Sequence, residues 1–161
     1  MKLFPIACLA VVLVVLSPAT TLADKTIHTT LHGYNEVPAV STTGGGVFRA
    51  KINNDATDIS YELTYEDLEG TATASHIHVG QTDVNGGVSA FLCGGGGKPP
   101  CPATGGTVTG VIVAADVIGP IAQGVAAGEF AELIEAILSG ISYVNVHSNK
   151  HPGGEIRGQV Q

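Results

Sequence analysis

The sequence predicts an all-β fold, an antiparallel sandwich or barrel interrupted by a single helix. Two observations carry that prediction. From Thr26 onward, short runs of alternating apolar and polar residues recur, separated by clusters of Gly, Asn and Asp. One stretch, Phe130–Leu138, instead repeats its apolar residues with helical period.

The chain begins with Lys2, an apolar run over residues 9–16, and small residues at Thr21 and Ala23. This pattern describes a secretory signal peptide over residues 1–23, cut after Ala23. The apolar run is well short of the ~20 residues that span a bilayer, so no membrane span is expected after cleavage. Cys8 sits too early in the segment for a lipoprotein. Residues 24–161 then form one domain, long enough to bury a core and without internal repeat or linker. They carry six basic residues against fourteen acidic ones. That balance argues against nucleic acid or an anionic membrane as partner.

The first strand is expected over residues 26–32, followed by a loop that Pro38 and Gly44-Gly45-Gly46 enforce. Residues 47–52 alternate Phe48, Ala50 and Ile52 with Arg49 and Lys51. After the turn at Asn53-Asn54-Asp55, Ile59, Tyr61, Leu63 and Tyr65 alternate with Ser60, Glu62, Thr64 and Glu66. These two runs pair as a hairpin, with Arg49 and Lys51 facing Glu62 and Glu66, each pair contributing ~0.2–1 kcal/mol. Strands follow at 71–79 and, after Asn85-Gly86-Gly87, at 88–92. The strand at 107–113 is apolar in both phases, which predicts a central position. In the helix Phe130, Leu133, Ile134, Ile137 and Leu138 form one stripe, Glu129 and Glu132 suit the positive end of the dipole, and Gly140 stops it. The last strands are expected at 142–147 and 155–160.

With Cys8 removed, Cys93 and Cys101 remain, an even pair in an exported chain. They read as a disulfide stapling the loop Gly94-Gly95-Gly96-Gly97-Lys98-Pro99-Pro100, worth on the order of 2–3 kcal/mol in the chain-entropy model. A soft metal site is the rival reading, with a spacing poorly suited to zinc. The glycine tract lacks the following Lys-Ser/Thr of a phosphate-binding loop and reads as loop filling.

Three stretches resemble the CHRD (chordin-type) domain of microbial exported proteins. They are Leu31-His32-Gly33-Tyr34-Asn35-Glu36-Val37-Pro38, then Ser75-His76-Ile77-His78-Val79-Gly80, then Tyr143-Val144-Asn145-Val146-His147 running on to Pro152-Gly153-Gly154-Glu155-Ile156-Arg157-Gly158-Gln159. The resemblance implies an immunoglobulin-like β-sandwich of Greek-key type, and an extracellular or periplasmic module that binds other proteins. It implies little about activity. His151 stands where the family more often has an aromatic or apolar residue.

His76 and His78 leave one face of a strand about 7 Å apart, while Ile77 and Val79 enter the core. Near the C-terminus Val144 and Val146 take the buried phase, and Asn145 and His147 the other. If the two strands are neighbours, three imidazoles converge. Neutral imidazoles suit copper or zinc. His151 in the following loop is a candidate fourth ligand, and Asn145 or Glu155 can fix a ring tautomer. The structural alternative is a polar network of His, Glu155 and Arg157 that pins the final hairpin, which must be satisfied at every member. Catalysis has less behind it. Ser75 and His76 face opposite ways and form no nucleophile–base pair. A superoxide-dismutase-like metalloenzyme requires a fourth His, and His28 and His32 belong to a different strand. The expected protein is an exported, non-enzymatic binding or structural module.

Overall fold

The computed structural model describes residues 24–161, so the expected signal peptide over 1–23 lies outside the described residues. Period-two alternation becomes eight antiparallel strands: β1 (Lys25–His32), β2 (Gly45–Ile52), β3 (Asp58–Glu66), β4 (Ala72–Val79), β5 (Gly87–Cys93), β6 (Gly106–Val113), β7 (Ser142–Ser148) and β8 (Ile156–Gln159). Among the described residues the one α-helix, α1 (Phe130–Leu138), precedes the last two strands as expected.

The strands form one sheet in the order β5-β4-β7-β8-β1-β2-β3-β6. The sheet curls until its two ends, β5 and β6, meet, so a sandwich-like core is enclosed by a single nearly closed sheet. The final hairpin, β7–β8, is inserted between β4 and β1. That crossing of sequence order brings the His-x-His strand beside the strand of His147.

Leu31, Phe48, Ile59, Leu63, Ile77, Leu92, Ile112, Val144, Val146 and Ile156 fill the interior. Tyr61 and Tyr65 on β3 also point inward, their hydroxyls donating to the carbonyls of Leu92 and Pro102 at 2.7 and 2.5 Å. Helix α1 buries Phe130, Leu133, Ile134 and Ile137. Gly140 ends it in the left-handed region, at φ 70°.

Three expectations need correction. Strand β6 is terminal in the strand order, and Val111 and Val113 are 48% and 41% exposed. Their β-branching suits a pleated strand and does not require burial. Leu138, predicted within the buried stripe, is 42% exposed. It lines a groove of about 520 Å³ between the end of α1 and the start of β1. Arg49 stands opposite Glu62, but Lys51 stands opposite Ser60 and pairs with Asp24 instead.

Cys93 and Cys101 form the disulfide, with Cα atoms 5.0 Å apart. The stapled loop is more than filler. Backbone bonds Gly94 N–H to Pro99 O (2.8 Å) and Lys98 N–H to Gly95 O (2.9 Å) hold it as a tight turn. Lys98 Nζ reaches the Val111 carbonyl at 2.7 Å and Asp116 at 2.9 Å. The Phe91 ring packs so close to Gly95 that a side chain there would collide with it.

Candidate metal centre

Cross-strand register assembles the site. On the face of β4 opposite the core, His76 is aligned with Phe91 of β5 and Asn145 of β7, and Asn145 in turn with Arg157 of β8. In the next row His78 is aligned with Val88, Tyr143 and Gln159. His147 stands opposite Ala74, so the smallest neighbour faces the third imidazole. Pairing with β5 shifts twice beside the two histidines, with Leu92 and Ser89 as the extra residues on β5. Such bulges increase local twist and re-aim side chains.

One ring nitrogen each from His76, His78 and His147 lies within 4.8 Å of the others. The ring centroids are 5.4 Å apart for His76–His78, 4.9 Å for His76–His147 and 6.1 Å for His78–His147. His76 and His78 are buried and His147 half-buried.

Backbone carbonyls fix two of the tautomers. His78 Nδ1 is 3.0 Å from the Gly86 carbonyl, and His147 Nδ1 is 3.0 Å from that of Pro152. A carbonyl oxygen only accepts, so each Nδ1 carries the proton and each Nε2 keeps its lone pair. Gly86 can bring its carbonyl this close because it packs directly on the Val79 backbone, where any Cβ would collide. His147 Nε2 and His76 Nδ1 are buried with no hydrogen-bond partner.

The rings are held neutral. Burial pushes His76 down to about 3, and like-charge repulsion from His147 and His78 adds to it. Burial likewise lowers His78 to about 4, against the Gly86 carbonyl and the Asn145 side-chain oxygen, which would accept from the charged ring. His147 is lowered by burial too, with the Pro152 carbonyl working against the shift.

Aromatic packing restrains the rings from outside. Phe91 meets His76 edge-on at 4.4 Å, so the disulfide-stapled loop supports the site through Phe91. Tyr143 stacks on His78 at 4.6 Å with only 4° between planes. Arg157, 1% exposed, lies 3.4 Å from the centre of the Tyr143 ring. Its guanidinium donates to the carbonyls of Gln81 and Val84, both at 3.0 Å. Loop 80–86 is thereby tied over the cluster. Such a buried cation over a ring is worth about 2 kcal/mol when desolvated.

Of the expected outer residues, Asn145 is in place, its Oδ1 3.1 Å from His78 Nε2. Arg157 acts through Tyr143. Glu155 has other partners: its Oε1 accepts from Thr42 Oγ1 at 2.8 Å and the Glu69 N–H at 2.6 Å. His151 lies outside the group of three. Bonds between Ser148 and the turn at His151, one of them from the His151 N–H to the Ser148 hydroxyl, place that ring near Glu155; burial pushes the Glu155 carboxyl up, but hydrogen bonds from Ser148, Glu69 and Thr42, with the His151 charge, hold it lowered. A four-His arrangement is not assembled among the described residues, since His28 and His32 are exposed on β1.

Glu36 is a participant that its sequence position did not single out. It is 6% exposed, and burial pushes its carboxyl up to about 7, against the Arg157 charge and a hydrogen bond from Asn145. The only prior signal was its place in the Asn35-Glu36-Val37-Pro38 stretch.

Among the described residues, no helix is long and apolar enough to cross a membrane. No curated protein and no solved structure matches the chain. The CHRD domain model does match, over residues 27–160 and so across nearly the whole sheet and all three histidines: the chain belongs to the CHRD-domain family.

Proposed function

We propose that His76, His78 and His147 hold one copper or zinc ion, and that the domain works outside the cytoplasm as a metal-holding binding module. The carrying observation is the convergence of one ring nitrogen from each of three neutral imidazoles, in a cluster where His76 Nδ1 and His147 Nε2 are buried without a protein partner. Leaving such atoms unsatisfied costs about 1–3 kcal/mol each, and a bound ion removes that penalty. Carbonyls behind His78 and His147 set the tautomers as metal-bound histidines require. Both copper and zinc accept imidazole nitrogen at about 2.0–2.1 Å, so the rings would close in slightly around the ion. The disulfide and the signal-peptide-like segment 1–23 support export, to the periplasm or beyond.

Elemental analysis of protein purified from its native compartment, without chelators or a His-containing tag, tests this reading. Near-stoichiometric copper or zinc that is lost in His78→Ala supports it. Metal-free protein that also ignores added copper and zinc overturns it.

A second reading has its own observation. The Arg157–Tyr143–His78 stack ties loop 80–86 to the sheet, which suits a purely structural His network in a protein-binding module. On that reading His78→Ala lowers stability and leaves metal content unchanged.

A further inference from the structure

We infer that the side-chain oxygen of Asn145 is the fourth donor of this site, giving three imidazoles and one amide oxygen that favour a divalent ion, Zn(II) or Cu(II), over Cu(I). The inference rests on the metal reading above.

Asn145 is 2% exposed and sits between His76 and Arg157 in the cross-strand row. Its Oδ1 faces His78 Nε2 at 3.1 Å. Because His78 Nδ1 donates to Gly86, that nitrogen presents a lone pair, and so does the amide oxygen. Two acceptors facing each other at this distance repel unless a cation lies between them. A proton there would charge a ring enclosed by Tyr143, His147 and the sheet. A metal ion satisfies both atoms. Two donors bound at about 2.0–2.1 Å are separated by roughly 3.3 Å at a tetrahedral angle, close to the observed spacing.

Turning the amide over would also relieve the repulsion, by pointing its N–H at His78. In the structure the amide presents Oδ1, not its amino end, to His78. The nearby Glu36 carboxyl, which Asn145 helps to keep ionised against burial, favours that orientation, since an amide stabilises a carboxylate through its N–H. Asn145 is therefore a binding residue.

The donor set then has a consequence for metal choice. Cu(I) favours soft donors, whereas an amide oxygen is a hard donor suited to divalent ions.

The test is electron–nuclear double resonance on metal-free protein labelled with carbon-13 at the asparagine side-chain carbonyl and loaded with Cu(II). A carbon-13 coupling that disappears in Asn145→Leu is expected. Competition titration of the same variant should show Zn(II) affinity lowered about tenfold or more, with Cu(I) affinity changed by less than about threefold. Cu(II) held by imidazole nitrogen with no carbon-13 coupling in the wild-type protein would overturn the role of Asn145 and leave the three-His site standing. Failure of the wild-type protein to hold Cu(II) or Zn(II) at all would overturn the metal reading and this inference with it.

Discussion

Acidifying the metal-free protein from pH 7 to pH 5 should lower its stability through the buried imidazoles, by an amount that Glu36 partly conceals. In the fold His76 and His78 titrate at about 3 and about 4, against an ordinary imidazole value of 6.5. Between those limits the unfolded chain carries a proton on each ring that the folded chain lacks. Stability is therefore fully present above pH 6.5 and declines as pH falls toward the folded values. At pH 5, ~1.5 below the unfolded value, the loss is ~2 kcal/mol per ring and ~4 kcal/mol for the two, with His147 acting in the same direction. Glu36 has the opposite sign. Its carboxyl titrates at about 7 in the fold against an ordinary value of 4.5, so its contribution is present below 4.5 and lost as pH rises through 7. Moving from pH 7 to 5 restores ~2 kcal/mol. The wild-type protein should thus lose a net ~2 kcal/mol, while Glu36→Gln, with the offset removed, should lose ~4 kcal/mol. Urea denaturation of chelator-treated protein, followed by far-UV circular dichroism, measures both. Equal unfolding free energies at the two pH values in Glu36→Gln would mean that the rings are solvated, and the buried cluster would be refuted.

Other perturbations test the supports around the site. Arg157→Met leaves the carbonyls of Gln81 and Val84 without their charged donor, so urea denaturation should show a loss on the order of 3 kcal/mol or more. Cys93→Ser removes the staple of the 94–100 loop and should lower stability by about 2–3 kcal/mol; because Phe91 loses its support, zinc affinity should weaken as well. Since the rings stay neutral to about pH 4, zinc should remain bound at pH 5, where ordinary histidines are already protonated; dialysis against buffers of stepped pH, followed by metal analysis, reads this directly.

The strands were legible because alternation of period two is a local property. The alignment of Val144 and Val146 with the core, and of His147 with the opposite face, follows from it directly. Bringing His147 beside His76 and His78 additionally required β7 to pair with β4, which alternation alone does not dictate. Strand β6 misled because Val111 and Val113 have the composition of a central strand, although their face remains open at the end of the sheet order. Glu36 and Tyr143 were marked only by their places in the family-like stretches, and nothing pointed to the contact of Phe91 with the site. Their roles depend on which side chain stands across from them, and that is set by long-range register and by the path of loop 80–86. His151 follows His147 by four residues, but the turn between them is governed by Ser148, which places the ring with Glu155.

Titration of metal-free protein with Zn(II) and Cu(II), comparing the wild-type chain with His147→Ala, addresses the site most directly. His147 is half-buried and its loss leaves the core face of β7 untouched, so the variant should fold. One ion per chain in the wild-type protein, with binding abolished or weakened at least about a hundredfold in His147→Ala, is the predicted result. Binding that is absent in both proteins, or unchanged by the substitution, would contradict a metal centre built from these three histidines.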